Sequence, residues 1–217
     1  MSLGVRWFGT RDGSAPVLVL LHGGTGRRPS TSAMADLRFL RMTPFALEVR
    51  RRSHRSITVA QIHNPAGGWP RGQGRAALDD FLSGLDVPRA QIVLAGHSSG
   101  GHVALAAGAD CGGIIALAPW LSGSEPVEHL RGSRVTILHG DRDRVTDPAR
   151  SAAYVRQLVA AGVSARFQQM AGAGHAMVQR PGQWHRAVAD EAIAILLPHM
   201  ANPNGPTDFP FERPLGP

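Results

Sequence analysis

The chain has 217 residues, enough for one domain with a sizeable core. Its hydrophobic fraction of 43% is that of an ordinary globular fold, and no run approaches the length of a membrane span. The formal charge is +7, yet all 23 basic residues are Arg, and the densest run, Arg50-Arg51-Arg52 with Arg55, falls at an expected helix end. There cations favour the helix dipole and water; an anionic binding patch is the alternative. Neither nucleic acid nor membrane is an expected partner. Met1-Ser-Leu-Gly-Val-Arg-Trp7 lacks the apolar core of a signal peptide, so the default compartment is the cytoplasm.

In chain order, residues 5–8 and 17–21 flank a turn signal, Arg11-Asp12-Gly13-Ser14, and read as a β-hairpin. Further strands are expected at 57–62, 91–95, 114–117, 135–138 and 165–170. Helical patterns lie between them at 33–51, 74–85, 101–109, 148–161 and 182–197. This alternation defines an α/β class with a mostly parallel central sheet of about seven strands and helices on both faces. Several strands are apolar at successive positions, as strands covered twice must be. The single Cys111 excludes an intramolecular disulfide and reads as a small buried residue. No His/Cys spacing matches a structural zinc site, so no metal is expected. One domain, 1–197, is followed by a Pro-rich tail, 198–217, where Pro203, Pro206, Pro210, Pro214 and Pro217 interrupt regular structure. An inter-subunit arm or a pocket cover is the alternative reading of that tail.

Gly96-His97-Ser98-Ser99-Gly100 stands between the run Gln91-Ile-Val-Leu-Ala95 and the small-residue helix that opens at Gly101. Strand, sharp turn and helix with Gly-x-Ser-x-Gly at the corner resembles the nucleophile elbow of the α/β-hydrolase family. The turn lifts the central hydroxyl clear of the sheet, and side chains at the flanking glycines would collide with strand or helix. A lone serine hydroxyl is a poor nucleophile; it needs a base, and the base needs an orienting group. The resemblance, spanning roughly residues 17–175, implies that the acid and the His follow Ser98 in that order.

The acid is expected after the strand at 135–138, where the chain reads His139-Gly140-Asp141-Arg142-Asp143-Arg144. The family pattern of Gly, two residues, Asp selects Asp143; Asp141 fits a turn residue bonding nearby amides. Asp147 before Pro148 reads as a helix N-cap. The base is expected in Gly172-Ala173-Gly174-His175, a small-residue loop that delivers one His. Of the other histidines, His22 resembles the family's structural His before the oxyanion loop. His97 and His139 read as packing or backbone-bonding residues. His102 lies behind the nucleophile, and His54, His63, His129, His185 and His199 have no motif context.

By the same resemblance the oxyanion hole takes one backbone N–H from Ser99 and another from His22-Gly23-Gly24-Thr25-Gly26. Gly24 is the expected donor, with Thr25 the alternative. Family lids are inserted after the strand that follows the elbow helix. Here Ala118-Pro119-Trp120-Leu121 leads too soon to the acid strand, so no lid domain is expected and the site should be open, favouring short acyl groups. Trp120, at a strand's carboxyl end, is a candidate substrate wall, or else packs under the following loop. Thr25 and Trp69 are further substrate-binding candidates, and Arg71 could meet an acidic group. The resemblance implies a cofactor-free serine esterase or thioesterase acting on a small molecule. An acyltransferase or peptidase of the same fold is the nearer alternative, a non-enzymatic binding protein the farther one.

Overall fold

The computed structural model describes residues 3–25, 36–66, 69 and 73–201. Seven strands form one sheet: β1 (Gly4–Phe8), β2 (Val17–Leu21), β3 (Thr58–His63), β4 (Ile92–His97), β5 (Gly113–Leu117), β6 (Arg134–Gly140) and β7 (Ser164–Met170). Their spatial order is β1-β3-β2-β4-β5-β6-β7. Strands β2 to β7 run parallel, and β1 lies antiparallel against β3, Gly4 opposite His63 and Phe8 opposite Val59.

The hairpin expected of the first two strands does not form. Strand β3 lies between them, because β2 already bonds β3 on one edge and β4 on the other and has none left for β1. All five residues of β2 are buried, whereas β1 is half exposed, as suits an edge. The turn signal is still used locally: the Asp12 carboxylate accepts from the Ser14 amide at 3.1 Å.

Period-two alternation sorts the core into two layers. Val19, Leu94, Ile114, Ala116 and Ile137 face α3 (Gln73–Ser83), α4 (Ser99–Ala107) and α5 (Pro148–Ala160). Leu18, Leu20, Val93, Ala95, Ile115, Leu117 and Leu138 face α2 (Thr43–Arg52) and α6 (Pro181–Leu196). The helix expected over 33–51 is broken. Asp36 caps a single turn, α1 (Leu37–Leu40), and α2 restarts at Thr43 with Pro44 in its first turn, where a missing N–H costs nothing. The Arg run at the end of α2 stays at the surface, the Arg51 side chain 67% exposed: Arg50 donates to the Arg55 and Ile57 carbonyls, Arg51 pairs with Glu48, and Arg52 with Asp190. Cys111 is buried. A last turn, α7 (Pro198–Ala201), follows α6, with Met200 against the core. Residues 202–217 of the tail lie outside the described residues.

No helix among the described residues is long and apolar enough to cross a membrane. Nor does any inserted domain among them cover the carboxyl ends of the strands: only residues 118–133 separate β5 from β6. From β2 the chain winds outward to β3, and from β4 outward the other way. The carboxyl ends of β2 and β4 therefore flank a switch point, the place where open α/β sheets form ligand crevices.

Leu20 has no exposure in β2, while Leu47 on α2 is 55% exposed. Leu20→Ala should cost about 3 kcal/mol in urea unfolding, and Leu47→Ala should stay within about 0.5 kcal/mol of the parent.

Candidate active site

Ser98 caps α4 in a conformation that side-chain-bearing residues rarely adopt, φ 55° and ψ −117°. Such backbone costs on the order of 1–3 kcal/mol and persists only when its surroundings enforce it. They do so here. The Ser98 amide donates to the Leu117 carbonyl at 2.9 Å, and its own carbonyl accepts from the His102 and Trp120 amides, each at 3.1 Å. A Cβ at Gly96 would stand 2.2 Å from the Gly100 carbonyl oxygen, and one at Gly100 would stand 2.5 Å from that of His22. Both flanking positions therefore demand Gly.

The His175 loop docks on this corner. His97 Nε2 donates to the His175 carbonyl at 2.9 Å, with the two rings 4.7 Å apart. Burial, with the neighbouring His175 adding to it, pushes His97 down to about 3, so it stays neutral. His175 Nδ1 lies 2.8 Å from Asp143 Oδ2, and the Asp143 side chain has no exposure. Burial alone would raise the Asp143 carboxyl. The Thr146 and Val145 amides on Oδ1, at 3.0 and 2.7 Å, outweigh it together with His175 and hold the group at about 2.

Asp141 does not reach His175. Its exposed carboxylate accepts from the Gly172 amide at 2.7 Å and so ties the loop after β6 to the loop after β7. Gly140 lets the same loops close up, since a Cβ there would sit 2.2 Å from the Ala173 carbonyl oxygen. Asp147 caps α5 by accepting from the Ala149 amide at 2.8 Å.

Two partners of Asp143 are not apparent from the sequence. Thr146 Oγ1 donates to Oδ2 at 2.9 Å. His139 Nε2 faces the same oxygen at 3.2 Å, while its Nδ1 accepts from Ser151 at 2.8 Å. Burial lowers His139, so this second imidazole is neutral. In the sequence His139 reads as a packing or backbone-bonding residue at a strand end. Its spacing from Asp143 across one turn is the available signal.

On the other side of Ser98 the loop after β2 is anchored by His22. The Asn64 amide donates to His22 Nε2 at 3.0 Å, so Nδ1 bears the proton and donates to the Gly23 carbonyl at 2.6 Å. Gly23 lies against Ser98, where its Cβ would be 2.9 Å from Ser98 Cβ. Gly24 has a φ of 149°, and its carbonyl accepts from Ser99 Oγ at 2.7 Å. Thr25 is exposed at the end of that loop.

Trp120, 38% exposed, follows β5 beside Ser98 and meets His102 edge-on at 5.3 Å. Trp69 is placed otherwise than expected. It is 6% exposed, and its indole N–H donates to the His22 carbonyl at 2.7 Å, so it packs beneath the loop as part of its support. Arg71 lies outside the described residues. No group of three His, Cys, Asp or Glu side chains among the described residues could hold a metal ion.

No family model matches the sequence, and no curated protein does. Solved structures do match in shape. Esterase PE8 superposes with a TM-score of 0.69 at 22% identity, over 90% of this chain and all of that one (100%). A CIB-like hydrolase from Thermoplasma acidophilum gives 0.67 at 21% identity, over 87% of this chain and 91% of the other. Esterase 2 of Thermogutta terrifontis, phosphorylated by paraoxon, gives 0.64 at 16% identity, over 89% of each. The chain thus has the α/β-hydrolase fold.

The folded chain resists protonating His97 until about pH 3, against 6.5 for a free imidazole. The unfolded chain takes up that proton first, so this contribution to stability is complete above pH 6.5 and drains away as the pH falls toward 3. Melting temperatures should fall from about pH 7 to about pH 4, and His97→Gln should flatten the slope. An equal slope in the variant would show that other groups set it.

Proposed function

We propose that the protein is a serine hydrolase that cleaves an ester or thioester of a small substrate through an acyl-enzyme. The observation that supports this most is the 2.8 Å contact of His175 Nδ1 with the buried Asp143 carboxylate, in a loop docked on the strained Ser98 turn. With Nδ1 held, Nε2 is the nitrogen free to act on Ser98. Ser98 Oγ attacks the acyl carbonyl while His175 takes its proton and then gives it to the leaving alcohol or thiol. Water, activated by the same imidazole, clears the acyl-enzyme. Asp143 keeps the working tautomer and stabilises the imidazolium; at about 2 it is ionised across the working range.

The oxyanion of each tetrahedral intermediate is met by the amides of Ser99 and Gly24, each worth roughly 3–4 kcal/mol of barrier. Ser99 opens α4, so its amide has no partner within the helix. Trp120 beside Ser98 forms an apolar wall, and Thr25 borders the oxyanion side. A rim this open rewards few methylenes, which favours short acyl groups. The esterases of the same shape support the reaction class.

A fluorophosphonate should label the wild type once, at Ser98, and Ser98→Ala should fold normally, take no label and lose turnover. Labelling that persists in Ser98→Ala moves the nucleophile elsewhere. The two aspartates should separate in kinetics. Asp143→Asn should lower kcat by about 10³-fold or more with KM little changed. Asp141→Asn should keep most of kcat and instead cost about 1 kcal/mol in melting experiments, through the lost loop tether.

A further inference from the structure

We infer that the Ser99 hydroxyl is a positioning group that holds the far side of the oxyanion hole open, and that the donor there is the Gly24 amide and not that of Thr25. The inference rests on the serine-hydrolase reading above.

Gly24 sits at φ 149°, between two peptide units that glycine would let rotate freely. Each unit is pinned through its carbonyl. In the Gly23–Gly24 unit the carbonyl accepts from His22 Nδ1 at 2.6 Å. A trans peptide points its N–H opposite to its C=O, so the Gly24 N–H is turned away from the His22 ring. That unit also lies against the nucleophile, since a Cβ on Gly23 would reach within 2.9 Å of Ser98 Cβ. The Gly24 N–H is thereby presented beside Ser98.

In the Gly24–Thr25 unit the carbonyl accepts from Ser99 Oγ at 2.7 Å. The same trans geometry turns the Thr25 N–H away from Ser99 and the start of α4, where the first donor sits. Thr25 cannot then share an oxyanion with Ser99. Without the hydroxyl, the Gly24 carbonyl is free to swing toward the site, where its lone pairs would repel the developing negative charge. Gly23 and Gly100 cannot take over the tether. They have no side chain, and a Cβ at Gly100 would come within 2.5 Å of the His22 carbonyl oxygen. Ser99 thus serves both halves of the hole, one with its amide and the other with its hydroxyl.

The hydroxyl is committed to the Gly24 carbonyl, so its loss should be felt in the transition state and not in ground-state binding. Ser99→Ala should lower kcat on an activated short-chain ester about tenfold, the worth of one tethering hydrogen bond, with KM held within about twofold. Affinity for an alkyl boronic acid, which forms a tetrahedral adduct on serine, should fall by the same factor. Ser99→Thr, which keeps the hydroxyl, should recover kcat toward the wild type. Both variants should remain fully folded at the assay temperature, with only a small shift in melting for Ser99→Ala, which separates this effect from a folding defect. An unchanged kcat in Ser99→Ala, a loss confined to KM, or boronate affinity that stays at the parent value would overturn the assignment. Fluorophosphonate labelling of the wild type keeps the two readings apart: Ser98 labelled with Ser99→Ala fully active removes only the tether, whereas no labelling at Ser98 removes the hydrolase reading and the tether with it.

Discussion

Strand β4 and helix α4 approach so closely at the elbow that a Cβ on Gly96 would stand 2.2 Å from the Gly100 carbonyl oxygen. That approach fixes Ser98 at positive φ, and the rest of the site is built by contact with the corner it makes. The loop after β2 reaches it through Gly23, the loop after β5 through the Trp120 amide, and the loop after β7 through His97 and the His175 carbonyl. The loop after β6 arrives indirectly, by way of Asp143. Four loops thus converge where the winding of the sheet reverses, and the core beneath them, apolar on both faces, supplies the rigidity that the loops lack.

The electrostatics of the site follow from how dry it is. One carboxylate, Asp143, is kept ionised by backbone amides, a hydroxyl and His175, while the histidines packed around it, His97 and His139, are kept neutral by burial. His22 is neutral for the same reason under the opposite loop. A chain with a formal charge of +7 thus surrounds this carboxylate largely with neutral donors. The 2.8 Å hydrogen bond between His175 Nδ1 and Asp143 lies in a poorly screened setting, which is where such a bond is strongest.

Much of this is legible in the sequence because it is local. The strands announce themselves as short apolar runs, and the elbow as a glycine pattern between a strand and a helix. The choice of Asp143 over Asp141 for contact with His175 rests on a spacing within one loop. What escapes such reading depends on partners far apart in the chain. The first two strands look like a hairpin until β3, some forty residues on, takes the edge of β2. The break near Arg41 is signalled by Pro44 but hidden by the apolar period that continues across it. Trp69 reads as a substrate contact because it follows a strand's carboxyl end. Only the fold shows that its indole is spent on the His22 carbonyl. The same is true of Thr146 and His139, whose common target, Asp143 Oδ2, exists only once β6 and the following loop are folded.

Several of these arrangements cost stability and return nothing to the fold. Positive φ at Ser98 is strain, a carboxylate with no exposure is desolvated, and glycines along the loop after β2 add backbone entropy to be lost on folding. A scaffold that merely held a ligand in the crevice could relax each of them, placing Ala at the turn or Asn in the acid loop. On the proposed hydrolase reading, a site that must present a hydroxyl to a base and then hold still while charge develops on a substrate oxygen cannot. Glycine lets the backbone come close to that oxygen but leaves it free to turn away, so closeness and rigidity have to be supplied by different residues. In the proposed arrangement Gly23 and Gly24 supply the first, and the His22 ring and the Ser99 hydroxyl, each bonded to a carbonyl of that loop, the second. This division explains why the most mobile residue type and some of the least mobile contacts occur in the same few ångströms.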